Sequence, residues 1–155
     1  VSDEAIALNA FNRYKHQLKP IVGNDVTNSH DLNQIGQALF PGKFSGVFTQ
    51  DKDIDISKPY SIYNLDVAGQ PGSHWISVAI LHIGSGDSMS KPEVMVYDSF
   101  GRSSGEILPI LSEKYDIVDT DYDAEQVDSE NNCGLNCMCW LMVYDNLGPR
   151  YAELI

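Results

Sequence analysis

The chain has 155 residues, 43% of them apolar, and a net charge of −12 from 22 acids against 10 Lys and Arg. That length suits one domain with a sizeable core, and two Trp, eight Tyr and five Phe argue for a folded globule over a disordered chain. The acidic balance disfavours nucleic acid as a direct ligand, and no apolar run approaches the roughly 20 residues that cross a bilayer.

The opening stretch VSDEAIALNA carries acids and no basic n-region, so it does not read as a signal peptide, and a soluble protein made in a reducing compartment is expected. Residues 3–18 place Ile6, Leu8, Phe11, Tyr14 and Leu18 at threes and fours, which predicts an amphipathic helix ended by Pro20. A second helix is predicted over 31–40, opening near Ser29 and stopped by Pro41-Gly42. Short strands are expected at 44–49 and 60–65. Residues 74–83, HWISVAILHI, are apolar and β-branched without alternation, the pattern of a central strand covered on both faces. A polar loop over 84–92 leads to EVMVYD at 93–98, its expected antiparallel neighbour. Then follow a turn-rich loop at 99–105, a helix over 106–115 and an edge strand over 117–121. Residues 133–147 read as a buried helix closed by Gly148-Pro149. The predicted fold class is α+β, a small mixed or antiparallel sheet flanked by helices.

Acids crowd at Asp51, Asp53 and Asp55 and again over 116–130. A solubilising face is the plain reading, and attraction of a basic substrate or partner the sharper one. The three cysteines, Cys133, Cys137 and Cys139, are local and odd in number, which does not make a disulfide framework. They lack the paired spacing of a structural zinc site, and no metal is expected.

A thiol is a useful nucleophile only as thiolate, and a helix N-terminus favours that form. Cys133 opens the apolar helix behind the polar run Ser129-Glu-Asn-Asn132, whereas Cys137 and Cys139 lie inside it. A buried inert thiol is the commoner fate of a cysteine, and position makes Cys133 the best of the three. Of the four histidines, His16 and His30 read as surface residues of the first two helices. His74 and His82 share one strand about 26 Å apart, so only one of them serves a given site. His74 follows the small-residue run that ends in Gly72 and Ser73, an edge of the kind where sites gather. If strands 74–83 and 93–98 form a hairpin, Asp98 comes beside His74, where a carboxylate fixes the imidazole tautomer and stabilises its charged form. A turn-starting role for Asp98 is the competing reading. Gln126, Asn131 and Asn132 are all candidates for a side-chain amide in an oxyanion hole.

Taken together, His74-Trp75 on a strand, Tyr97-Asp98-Ser-Phe-Gly101 ending the next, Gln126, and Cys133-Gly134-Leu135 resemble the adenain-like cysteine proteases. The wider relatives of that family are the ubiquitin-like-protein proteases. The likeness spans residues 60–147, so the expected domain, 1–155, divides into a helical N-terminal part at 1–59 and a catalytic core at 60–147. The segment Phe40-Pro-Gly-Lys-Phe-Ser-Gly-Val-Phe48 is similar to maturation proteases of virophages.

This resemblance implies an adenain-type fold with Cys133 as nucleophile, His74 as base and Asp98 as orienting acid. Gln126 and the backbone N–H of Cys133 would form the oxyanion hole. Trp75, Gly72, Ser73, Asn132 and Gly134 would line the substrate cleft. It implies cleavage of capsid and other virion precursor proteins at glycine-containing sites, in the virion or a viral factory of the host cytoplasm, with no cofactor.

Three features depart from the family pattern. The stretch between His74 and Asp98 is long, the acidic charge disfavours activation by DNA, and no thiol outside 133–139 is present to pair with an activating peptide. An isopeptidase or acetyltransferase using the same residues is the near alternative, and a catalytically silent binding or assembly module the distant one.

Overall fold

The uninterrupted apolar run that follows His74 becomes the middle of a sheet. A computed structural model describes residues 2–22, 29–49, 52–64, 74–82, 91–99, 109–120 and 133–155. Five strands lie in chain order across one mixed sheet: β1 (Phe44–Thr49), β2 (Tyr60–Asn64), β3 (Trp75–His82), β4 (Glu93–Tyr97) and β5 (Asp116–Asp119). The β2–β3 and β3–β4 pairs are antiparallel, and the two outer pairs, β1–β2 and β4–β5, are parallel. The fold class is therefore the expected α+β, with a C-terminal helix over Cys133–Leu147.

Because strand side chains alternate, each strand feeds two cores. Tyr60, Ile62, Trp75, Ala79, Met95 and Tyr97 belong to the larger one. It is completed by α1 (Asp3–Val22), α2 (Ser29–Leu39) and α4 (Cys133–Leu147). Tyr63, Ile76, Val78, Val94 and Val96 form the smaller core with Ile54 and with Leu111 of α3 (Pro109–Lys114). Both faces of β3 are thus covered, which is why its sequence does not alternate.

Helix α4 is almost wholly apolar up to its last turn, as a helix segment enclosed on every side must be. Every residue from Cys133 through Leu141 is buried, and the helix packs on both β3 and α1. Trp140 stacks on Tyr97 with ring centroids 5.5 Å apart and planes at 3°, and its indole N–H donates to the Ala152 carbonyl at 2.9 Å. On the far side, α2 lies against β1, and Gly36 is required there: a Cβ would fall 2.4 to 2.6 Å from ring carbons of Phe44.

Some boundaries differ from expectation. Helix α1 runs through Pro20 to Val22. Pro20 removes one N–H from the last turn of the helix, at an exposed position. Helix α3 covers 109–114, shorter than the predicted 106–115, whose first three residues lie outside the described set. Strand β5 begins at Asp116, one residue early. A last short helix, α5 (Pro149–Ala152), was not expected; Gly148 at φ 95° supplies the left-handed turn, and Pro149 starts the new helix where its missing N–H costs nothing.

Candidate active site

The β3–β4 hairpin sets two members of the site. Its register places Ser77 opposite Tyr97 and Val78 opposite Val96. Continued by one step, the same register puts Asp98 across from Ile76, so His74 and Asp98 are diagonal neighbours just beyond the paired ends of their strands. Diagonal side chains on adjacent strands are within mutual reach when they are long. Here the contact is made: His74 Nε2 lies 2.5 Å from Asp98 Oδ1.

The third member arrives from the C-terminal helix. Cys133 is the first residue of α4, at the end where unpaired backbone N–H groups and the helix dipole favour a negative charge. Its side chain hydrogen-bonds His74, which therefore stands between Asp98 and Cys133. With Nε2 turned to the carboxylate, Nδ1 is the ring nitrogen left to face the thiol. The Asp98 side chain is 1% exposed and that of His74 14%, so the carboxylate is shut away while the imidazole keeps an edge to solvent.

Electrostatics follow from this arrangement. Burial alone pulls His74 down, since it penalises the imidazolium. The hydrogen bond to Asp98, the one to Cys133 and the negative charge of the Asp98 carboxylate outweigh that effect, and the net displacement is above the ordinary 6.5. The other two thiols sit in different surroundings. Burial pushes Cys137 well above the ordinary thiol range and Cys139 up to about 12, so both stay protonated and inert at neutral pH.

The remaining candidates are placed as follows. Gly134 is buried in the first turn of α4. Trp75 is only 3% exposed and sits in the larger core beside α4. Gly72, Ser73, Gln126, Asn131 and Asn132 lie outside the described residues. His16 and His30 are exposed on α1 and α2, and His82 is exposed at the opposite end of β3. Among the described residues, no group of three or more His, Cys, Asp or Glu is placed to hold a metal ion. Among them too, no helix is long and apolar enough to cross a membrane.

Polar residues that sequence reasoning passed over also gather here. Ser77, Ser99 and Asn136 are each fully buried. Ser99 follows Asp98, Asn136 lies one helical turn beyond Cys133, and the Ser77 hydroxyl donates to the Cys137 carbonyl at 3.1 Å. The signal for Ser77 was available, because it is the one hydroxyl inside the apolar run Trp75–Leu81. No protein-family model matches this chain, and no curated protein matches it significantly.

Proposed function

We propose that the chain is a thiol endopeptidase of adenain type, with Cys133 as nucleophile and His74 as its base. The observation that carries this reading is one half-buried histidine hydrogen-bonded at once to a sequestered carboxylate and to a cysteine that opens a helix. An imidazole held in this way is the standard means of activating a thiol and later protonating a leaving group.

In the reaction, His74 takes the Cys133 proton and the resulting thiolate adds to the carbonyl carbon of the scissile peptide bond. The oxyanion is stabilised by the backbone N–H of Cys133 and, on the family resemblance, by the Gln126 amide. Collapse of the tetrahedral adduct breaks the C–N bond as His74 returns the proton to the departing amine, leaving a thioester. Water, deprotonated by His74, then attacks the thioester and releases the carboxylic acid with the free thiol. Asp98 keeps Nε2–H oriented throughout and stabilises the imidazolium. The resemblance extends the proposal to capsid and virion precursors cut at glycine-containing sites.

The test is incubation of a candidate capsid precursor with the native chain, Cys133→Ala and His74→Ala. Cleavage by the native chain and its loss in both variants, with circular dichroism unchanged, is the expected result. Persistent cleavage by Cys133→Ala overturns the assignment.

A further inference from the structure

The three members of the proposed site come from three elements, and one buried hydrogen bond lies where those elements meet. Ser77 is fully buried on β3, three residues from His74. It is paired in the sheet with Tyr97, the residue before Asp98. Its hydroxyl donates to the carbonyl of Cys137, one helical turn beyond Cys133 on α4. The Ser77 side chain thus joins β3 to α4 at a position whose backbone is paired with β4 one residue before Asp98.

Stability alone does not account for a hydroxyl there. The neighbours of Ser77 on the same face of β3, Trp75 and Ala79, are apolar members of the larger core, and a buried hydroxyl costs free energy unless it is bonded. The Cys137 carbonyl does not require it, because within α4 that carbonyl already accepts the N–H of Leu141. An alanine would fill the position without orphaning any group. What the hydroxyl adds is direction. Apolar contact between α4 and β3 is non-directional and tolerates sliding and rotation of the helix, whereas a hydrogen bond fixes both.

We propose that Ser77 is a positioning residue, whose buried hydroxyl holds α4 against β3 at the offset that lets His74 engage Cys133. The inference rests on the thiol chemistry proposed above, and its test separates the two. Cys133 alkylation by iodoacetamide is followed by peptide-resolved mass spectrometry at pH 6 and pH 9.5 in the native chain, Ser77→Ala, Ser77→Cys and Ser61→Ala. Ser61 is a buried serine on β2, outside the site, and controls for the loss of a hydroxyl as such.

At pH 9.5 any accessible thiol ionises, whereas at pH 6 fast alkylation requires the His74 partner. The expected result is a pH 6 to pH 9.5 rate ratio that falls roughly tenfold or more in Ser77→Ala, the scale at which small misplacements act on reacting groups. Ser77→Cys, a much weaker donor of similar size, should fall between, and Ser61→Ala should keep the native ratio. A native ratio in folded Ser77→Ala, or an equal fall in Ser61→Ala, overturns the positioning role and leaves the thiol chemistry standing. Should Ser77→Ala fail to fold, a native ratio in Ser77→Cys overturns it instead. If the native chain itself shows the ratio of an ordinary thiol, the thiol chemistry falls first and the role of Ser77 with it.

Discussion

Replacing Asp98 with asparagine removes a charge from the site while keeping its shape. The carboxylate is almost wholly buried and sits 2.5 Å from His74 Nε2, so solvent screens the contact little. A hydrogen bond to a charged group contributes about 1.5–3 kcal/mol. At about 1.4 kcal/mol per factor of ten, its loss corresponds to a roughly 10- to 150-fold weaker hold on the imidazolium. The direct readout is the proton NMR titration of the His74 ring. In the native chain it should titrate above 6.5, and in Asp98→Asn it should move down.

Stability carries the same signature. A histidine whose folded value is raised stabilises the fold fully below its unfolded value, and that contribution is lost as pH climbs through the folded one. The gap in urea midpoint between native and Asp98→Asn should therefore be widest below pH 6.5 and close at higher pH. The reasoning is refuted if native His74 titrates at or below 6.5, or if Asp98→Asn leaves its titration unmoved.

Three other outcomes follow from the packing. Trp140→Phe removes the indole donor to Ala152 and should cost about 1 kcal/mol in urea unfolding, against about 3–5 kcal/mol for Trp140→Ala, which also empties the stack on Tyr97; a Trp140→Phe as stable as the native chain would deny the hydrogen bond any part, and equal costs would deny the stack any. Gly36→Ala drives a methyl into the Phe44 ring and should destabilise by about 1–3 kcal/mol, whereas a neutral or stabilising change would mean that α2 and β1 are not packed as described. Native Cys137 and Cys139 should resist iodoacetamide at pH 8 until denaturant is added, and rapid labelling of either would contradict their burial.

The parts of the fold that could be read in advance were those set by local pattern. The apolar run of β3, the polar interruption after it and the run of β4 form a hairpin whose register follows from proximity in sequence, and with it came the pairing of His74 with Asp98. The largely apolar character of 133–147 likewise gave the buried helix.

What escaped depended on distant partners. Nothing in FSGVFT says that it pairs parallel to β2, since that choice is made by α2 packing across β1 and by the route of the chain between the strands. Pro20 was read as a stop because it removes a helix hydrogen bond, yet only two residues of the helix follow it, so little helix is lost or kept by its presence. Ser77 was passed over, because its partner is a backbone carbonyl sixty residues away that leaves no mark in side-chain spacing.

That sheet order matches chain order has a consequence for biosynthesis. His74 and Asp98, the proposed base and acid, flank adjacent antiparallel strands, so they can meet as soon as that hairpin closes, a local and rapid event. Cys133, the proposed nucleophile, belongs to a helix that leaves the ribosome after the five described strands. Until α4 docks, Cys133 lacks its His74 partner, and on the proposed mechanism a nascent chain carrying the rest of the site would have no means of attacking itself or its neighbours. Thiol reactivity at low pH would thus serve as a clock for the final step of folding.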